Sequence, residues 1–308
     1  MKKILLSKPS NLKTSTFSEL LRILSISEAD FDMLVATADS LYIQIRLKKK
    51  DGGTRIINAP SRKLKELQRS ILMFILTKNR LQNCAYGCSK GKSIIENASA
   101  HIKSSFMINL DIKDFFPSVH YTKILQLYLD MGFSRDLAKK LCEITTLKYS
   151  LPQGAPTSPY LSNLVLQNLD KRLMLLSRKN RLIYTRYFDD ITISGSNQAH
   201  KIKGTVEKII TAEGYKIKRS KVFIYNKGEN KKVTGILIKP DRTLDLEDRD
   251  LLKKYLQDLK EKGLPALESS LIEKEKQSLR GKISFLKSVN NEEGEAFSRL
   301  FEEIKWEE

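Results

Sequence analysis

Two short apolar runs in the middle of the chain are separated only by a pair of aspartates, Asp189 and Asp190. The runs, residues 182–188 and 191–194, are rich in β-branched and aromatic side chains, which favour strands. A connection of two residues between strands requires a tight β-hairpin. The spacing therefore predicts a hairpin with both carboxylates at its turn, and the fold must accommodate two adjacent negative charges there.

Another carboxylate, Asp111, lies near the end of an apolar run at residues 106–112, which we predict to be a strand. If this strand pairs beside the hairpin, the three aspartates converge at one sheet edge, where they repel each other and raise one another's pKa. Two divalent cations, roughly 3.5–4 Å apart, would relieve that repulsion and could activate a hydroxyl and hold a triphosphate for in-line displacement. Mg²⁺ suits such oxygen ligands, and Mn²⁺ can substitute for it. A polar hairpin turn without metal is the alternative that the aspartate pair alone leaves open.

The charge of the chain indicates a polyanionic partner. Its 55 Lys and Arg residues outnumber 36 Asp and Glu residues, which gives a formal net charge of +19. Residues 241–308 carry 13 basic and 17 acidic side chains, which leaves 42 basic against 19 acidic in residues 1–240. Nucleic acid is the first candidate partner for a region this basic.

Cysteine content and the N-terminal sequence argue against several classes of protein. Cys84, Cys88 and Cys142 suit a reducing cytosol, and no second Cys or His pair lies near the first two to complete a zinc site. The apolar run at the N-terminus has three residues, too few for a signal peptide or a membrane span. We therefore expect a cytoplasmic protein without a membrane partner.

Hydrophobic periodicity predicts an α+β architecture. Helices are predicted at residues 19–38, 61–77 and from 246 onward with a break at 263–265, and strands at 41–47, 54–58, 106–112, 182–188, 191–194, 222–225 and 231–238. Asp-Gly-Gly at 51–53 is expected to turn the first strand into the second.

Three motifs follow one another in an order that is typical of one family. Tyr-Thr-Arg-Tyr-Phe-Asp-Asp at 184–190 resembles the catalytic hairpin of reverse transcriptases, and Asn-Leu-Asp-Ile-Lys-Asp-Phe-Phe-Pro-Ser at 109–118 resembles their first metal-binding motif. Leu-Pro-Gln-Gly-Ala-Pro-Thr-Ser-Pro at 151–159 resembles their loop that positions nucleotide and template. The resemblance implies a polymerase that copies RNA into DNA, with two Mg²⁺ ions held by the three aspartates.

The resemblance also assigns residues to the incoming nucleotide. Phe116 occupies the family's position for a ring that excludes a ribose 2′-hydroxyl, while Phe115 is expected in the core. Gln153 and Gly154 are expected beside the nucleotide, where glycine would allow close approach of the backbone. Arg55 matches the family's arginine that clamps the triphosphate.

Basic residues are expected near the phosphates. The family places a lysine after the hairpin that can protonate the pyrophosphate leaving group, and we slightly prefer Lys218 over Lys221, with an ordinary surface role as the alternative for either. One of Lys48, Lys49 and Lys50 can also reach phosphate, and the sequence does not choose among them.

Two further signatures narrow the resemblance to bacterial retron reverse transcriptases. Asn-Ala-Ser-Ala-His at 97–101 resembles their Asn-Ala-x-x-His element, and Val-Thr-Gly at 233–235 resembles their second hallmark. A structured RNA is expected to contact Asn97, His101, Val233, Thr234 and Gly235. The alternative for the first two is a helix terminus with satisfied polar groups. Phe188 departs from the family, which more often carries alanine at that position.

The fold that the resemblance implies is a right hand. Fingers are expected at about 1–105 and 120–150, the palm at about 106–119 and 151–240, and a helical thumb at 241–308, with the reverse transcriptase domain at 1–240 and its core at about 30–240.

A retron enzyme would copy a structured non-coding RNA into DNA from deoxynucleoside triphosphates, priming from a guanosine 2′-hydroxyl so that DNA product and RNA stay joined. An effector protein encoded nearby and a role in anti-phage defence would accompany it. No RNase H domain is expected in the 68 residues after Pro240, so a host RNase H would trim the template. The alternatives are another bacterial reverse transcriptase (of group II introns or diversity-generating elements), an RNA-dependent RNA polymerase, which Phe116 disfavours, and a non-catalytic RNA-binding scaffold.

Overall fold

The computed structural model describes residues 16–48, 52–196, 199–241, 243–263 and 269–306. Lys49, Lys50 and Asp51, considered above for phosphate binding and for the first turn, lie outside the described residues.

Helices and short antiparallel sheets alternate along the described chain, as the α+β prediction requires. The helices are α1 (Phe17–Leu24), α2 (Glu28–Thr37), α3 (Arg62–Phe74), α4 (Ile94–Ser99), α5 (Phe115–Ser118), α6 (Tyr121–Asp130), α7 (Arg135–Thr145), α8 (Ser158–Val165), α9 (Gln167–Lys179), α10 (Lys203–Ala212), α11 (Arg249–Lys262), α12 (Ser269–Val289) and α13 (Asn291–Glu302). The strands are β1 (Tyr42–Lys48), β2 (Thr54–Pro60), β3 (Phe106–Asp111), β4 (Ile183–Tyr187), β5 (Asp190–Gly195), β6 (Phe223–Tyr225), β7 (Lys231–Val233), β8 (Ile236–Ile238) and β9 (Leu244–Leu246).

A four-stranded sheet in the order β4-β5-β3-β6 forms the centre of the molecule. The predicted hairpin is present as β4 and β5, and β3 pairs on the other side of β5. Ile108, Ile191 and Ile193 are fully or almost fully buried and belong to the main hydrophobic core, to which α8, α9 and α10 also contribute. The apolar side chains of these strands are buried against the helices that cover the sheet, and this burial stabilises the strands.

Two predicted elements are divided in the structure. The helix predicted at 19–38 is two helices, because Ser25 adopts a left-handed conformation and the Ser27 side chain caps α2 by accepting from the Asp30 N–H. The strand predicted at 231–238 is the hairpin β7–β8, which turns at Thr234 and Gly235 with φ values of 48° and 86°. Its Thr-Gly pair resembles other glycine-containing hairpin turns and was a usable signal.

The β7–β8 hairpin continues into β9, which the sequence pattern did not predict. The predicted boundary at residue 240 therefore falls inside a three-stranded sheet. Buried Asp245 on β9 pairs with Arg249 on α11 at 3.0 Å and so ties this sheet to the C-terminal helices.

The C-terminal helices α11, α12 and α13 pack around a separate hydrophobic core that includes Leu256, Leu279 and Phe297. Helix α13 crosses close to α12 at Gly294, where a Cβ atom would lie 2.3 Å from the Lys287 Cα atom. Only glycine permits this approach. A helical C-terminal region is thus confirmed.

No helix within the described ranges combines the length and the apolarity needed to cross a bilayer. Cys84, Cys88 and Cys142 are free thiols, and the first and the last are buried.

Candidate active site

Antiparallel pairing brings the three predicted aspartates together. Asp111 ends β3 and stands directly opposite Asp190, the first residue of β5. Asp189 lies in the turn, and its carbonyl accepts a hydrogen bond of 3.1 Å from the Ile112 N–H. The turn itself consists of Phe188 and Asp189, one residue earlier than predicted, because Asp190 already belongs to the ladder.

The aspartates repel one another. Burial, followed by the charges of Asp189 and Asp111, raises the pKa of Asp190 to about 7. The pKa of Asp189 is also raised, first by burial and then by Asp111, while Lys221 and Arg55 act in the opposite direction. The raised pKa values show that negative charge on these carboxylates is unfavourable in the protein alone. A cation bound between them would relieve that repulsion.

A lysine ammonium group already contacts this cluster, and it belongs to Lys221. Its Nζ atom lies 2.5 Å from Asp111 Oδ2, and its pKa is raised by this hydrogen bond and by the three negative charges, which outweigh the larger single effect of burial. Lys218 contributes only its backbone N–H, which donates to the Asp111 carbonyl at 2.8 Å. The structure thus places Lys221, rather than the preferred Lys218, beside the carboxylates, and which of the two protonates pyrophosphate stays a prediction.

The donor chemistry of the site fits Mg²⁺. The side chains offer hard carboxylate oxygens, and the raised pKa values of Asp189 and Asp190 indicate unneutralised charge. Within the described residues, no group of three or more His, Cys, Asp or Glu side chains is already arranged to bind a metal ion. Asp111 is engaged by Lys221 instead. Proteins commonly hold Mg²⁺ by one or two carboxylates together with substrate phosphates.

The predicted nucleotide loop packs on the β1–β2 hairpin. The Gln153 carbonyl accepts from the Asn58 N–H at 2.7 Å, and a Cβ on Gly154 would lie 2.6 Å from the Asn58 carbonyl oxygen. Gly154, at φ 133°, is thus required for contact between loop and strand. The same strand carries exposed Arg55, whose charge acts on Asp189.

Phe115, predicted to lie in the core, and Phe116, predicted to contact the nucleotide, differ in exposure. Phe115 is 3% exposed and lies in the core, while Phe116 is only half-buried. Their ring centroids are 5.4 Å apart, and Phe116 lies 6.4 Å from the ring of Phe188 in the catalytic turn. The core placement of Phe115 is confirmed, and the role of Phe116 in sugar selection stays a prediction.

A buried ion pair that the sequence analysis did not assign lies beneath the turn. Arg186 of β4 and Asp170 of α9 are both fully buried and form two hydrogen bonds of 2.7 and 2.8 Å. The Tyr184 hydroxyl also donates to Asp170 at 2.7 Å, and Arg186 Nη1 donates to the Phe188 carbonyl at 2.9 Å. An arginine within an apolar strand was the available signal, since arginine is rarely buried unless paired.

The two named residues of the Asn-Ala-x-x-His element, Asn97 and His101, do not lie on an RNA-accessible surface. Asn97 is 1% exposed and His101, which follows the end of α4, is 0% exposed. His101 bonds Ser194 at 2.6 Å through Nδ1 and Thr185 at 2.7 Å through Nε2, on β5 and β4. The prediction that Asn97 and His101 contact RNA directly is therefore wrong. Both are buried, and they support the sheet from within.

The two hallmark segments contact each other. Asn97 Nδ2 lies 3.4 Å from Thr234 Oγ1, and Val233 is fully buried, so this valine also cannot contact RNA. Thr234 and Gly235, in contrast, line a groove of about 580 Å³. Other residues lining it are Tyr187, Asp190, Lys221, Phe223, Tyr225 and Lys232. Only the turn of the Val-Thr-Gly segment thus remains available for nucleic acid beside the catalytic hairpin.

We expect the double substitution Asn97→Ala with His101→Ala to reduce stability and to lower synthesis on every template alike. Each buried polar group left without a partner costs on the order of 1–3 kcal/mol. Urea unfolding and extension of both a generic and a self-priming RNA measure the effect. Selective loss of the self-primed reaction, at unchanged stability, would restore a direct role in RNA recognition.

Acid stability should also depend on His101. Burial lowers its pKa from 6.5 to about 3, so the unfolded chain takes up a proton first as the pH falls. The stability from burying neutral His101 is complete above pH 6.5 and is lost towards pH 3, at up to about 1.4 kcal/mol per pH unit. We expect a shallower fall in unfolding free energy from about pH 6.5 to 5 for His101→Gln than for wild type. Equal slopes would contradict the assignment.

Comparison with known proteins gives consistent matches. Residues 47–238 match the family described as reverse transcriptase (RNA-dependent DNA polymerase). The chain is 31% identical to the retron Mx65 reverse transcriptase of Myxococcus xanthus over 84% of this chain and 64% of that protein. It is 37% identical to the retron Ec86 reverse transcriptase of Escherichia coli over 70% of this chain and 69% of that protein, and 32% identical to the retron Ec73 reverse transcriptase of the same species over 84% and 87%. The match thus spans less than two thirds of the Myxococcus protein.

Proposed function

Because the chain belongs to the retron reverse transcriptases, we propose that it is an RNA-directed DNA polymerase that copies a structured non-coding RNA into DNA. The observation that carries the proposal is the β3–β5 register, which sets Asp111 opposite Asp190 with Asp189 in the adjoining turn. In a non-catalytic RNA-binding scaffold, three carboxylates that repel one another at one site would have no function.

Each residue of the site has a defined task in this reaction. The three aspartates would hold two Mg²⁺ ions, which supply activation of the primer hydroxyl and neutralise charge on the triphosphate. Arg55 would contact the triphosphate from the β1–β2 hairpin, which the Gln153–Gly154 loop fixes to the palm. Lys221, which contacts Asp111, would neutralise negative charge at the site. It would donate a proton to pyrophosphate once its hydrogen bond to Asp111 is broken.

We propose that Phe116 selects deoxynucleotides, since it is half-buried beside the catalytic turn. Phe116→Ala is expected to raise incorporation of ribonucleotides relative to deoxynucleotides about 10- to 200-fold, the range typical of discrimination by one small group. Steady-state incorporation of single rNTPs and dNTPs on one primer-template measures the ratio. Phe74→Ala, which removes an exposed ring at the end of α3, serves as the control and should leave the ratio unchanged. An unchanged ratio in Phe116→Ala would move the gate to another residue.

The template and product follow from the family. We propose a structured non-coding RNA encoded beside the gene as template, with DNA growing from a guanosine 2′-hydroxyl. The excess of basic over acidic residues in the sequence from 1 to 240 supports a nucleic-acid partner. A cytoplasmic location, trimming of the template by a host RNase H and association with an anti-phage effector protein belong to the same proposal.

Nucleic acid that co-purifies with the chain from cells carrying the neighbouring non-coding locus tests this function. We expect DNA that retains an RNA nucleotide linked through its 2′-oxygen after ribonuclease digestion. The Asp190→Asn variant should carry the RNA without DNA. DNA with a free 5′ end would instead indicate another type of reverse transcriptase, and RNA alone in both preparations would indicate a binding protein.

A further inference from the structure

The residue between the catalytic tyrosine and aspartates has an unusual conformation. Phe188 lies in the turn with φ 55°, a region that bulky side chains rarely adopt. Its ring is 5.0 Å from that of Tyr187 and 6.4 Å from that of Phe116, both within the range of aromatic contacts. Phe188 thus connects the catalytic turn to the side chain proposed to select the sugar.

The ring of Phe188 sits in a slot above Gly87. A Cβ atom on Gly87 would lie 2.9 Å from Phe188 Cε1 and 3.0 Å from Cδ1 and Cε2. Such distances are too short for carbon atoms in contact, so only glycine leaves room for the ring. Relatives with alanine in place of Phe188 would have no ring to fill this slot.

Hydrogen bonds fix both sides of the slot. Asn163 Nδ2 donates to the Gly87 carbonyl at 2.6 Å, and Asn163 Oδ1 accepts from Arg186 Nη1 at 2.8 Å. The same Arg186 atom donates to the Phe188 carbonyl at 2.9 Å. Because Arg186 and Asn163 are buried, the backbone on either side of the ring is held in place and the ring cannot easily retreat from Phe116.

We propose that Phe188, seated on Gly87, is a second determinant of sugar selection that acts by limiting the movement of Phe116. The inference rests on the proposed polymerase function and on Phe116 as the gate. The ring of Phe116 is only half-buried and has Phe115 and Phe188 as aromatic neighbours. Loss of the Phe188 ring, or its displacement from the slot above Gly87, should allow Phe116 to move aside for a 2′-hydroxyl.

The test is the ratio of rNTP to dNTP incorporation efficiency on one primer-template. Phe188→Ala should raise this ratio about two- to tenfold, the factor that corresponds to one aromatic contact. Gly87→Ala should raise it as well, because the added methyl group displaces the ring. The double variant should be no worse than Phe188→Ala, since the methyl group then enters vacated space. Phe74→Ala, which removes a 40% exposed ring from the end of α3, is the control.

Combination with Phe116→Ala shows whether Phe188 acts through the gate. Adding Phe188→Ala to Phe116→Ala should not raise the ratio further. If Phe188→Ala does not fold in thermal unfolding, Phe188→Leu takes its place, with the same direction expected. An unchanged ratio in the folded Phe188 variants, or a full additional increase in the Phe116→Ala background, would overturn the inference. Absence of DNA synthesis by the wild type would instead refute the proposed function.

Discussion

Replacing Asp189 or Asp190 by asparagine is expected to abolish DNA synthesis and to leave the fold and RNA binding intact. Asparagine keeps the shape of the side chain but removes the charge that would hold Mg²⁺, and loss of metal costs several kcal/mol of transition-state stabilisation. Activity should fall below about 1% of wild type, because each 1.36 kcal/mol corresponds to a factor of ten. Extension of a labelled DNA primer on an RNA template measures the loss.

Stability provides an internal check on this prediction. Burial and mutual repulsion raise the pKa of both aspartates, so removing one charge in the absence of metal should not lower the unfolding free energy. Asp258→Asn, at an exposed i,i+4 pair with Lys262 on α11, is the matched control and should retain synthesis. Either hairpin variant retaining more than a few per cent of wild-type extension would refute the metal assignment.

Removal of the Asp170 carboxylate should have the largest effect on stability. Asp170→Ala leaves the fully buried guanidinium of Arg186 without a counter-charge, a change that typically costs about 3–5 kcal/mol. Urea unfolding measures the free energy. The comparison is Glu213→Ala, which breaks a more exposed pair with Arg172 on the same helix and should cost about 1 kcal/mol or less. Similar losses in the two variants would show that burial does not govern the Arg186 pair.

Replacing both partners separates stability from positioning. The variant Asp170→Leu with Arg186→Met should regain much of the stability, because no buried charge remains unpaired. Its synthesis should stay low, since the Phe188 carbonyl beside Asp189 loses the donor that fixes it. Recovery of full synthesis together with stability would limit Arg186 to a structural role.

The sequence predicted correctly the position of those site residues that depend on local patterns. Asp189 and Asp190 lie between two apolar runs, and a connection that short restricts the chain to a hairpin whatever surrounds it. The strand that ends at Asp111 was predicted to lie beside this hairpin, and it pairs directly with β5 so that Asp111 stands opposite Asp190. These predictions succeeded because each depended on a few adjacent residues and on the period of a strand.

The predictions that failed depended on contacts between distant segments. Nothing near Lys218 and Lys221 in the sequence shows which side chain reaches Asp111, about a hundred residues earlier, since a short 3₁₀ turn decides it. Likewise, Asn97 and His101 were predicted to contact RNA, but both are buried. His101 bonds Ser194 and Thr185, and Asn97 Nδ2 contacts Thr234, all on distant segments. A buried polar residue can be recognised only when its partner is known.

The most direct test of the account is primer extension by the purified wild-type chain on an annealed RNA template and DNA primer, with dNTPs and Mg²⁺. We expect template-directed DNA that requires the divalent ion and is absent with Asp190→Asn. A folded chain that binds the RNA and makes no DNA, with Mg²⁺ or with Mn²⁺, would contradict it.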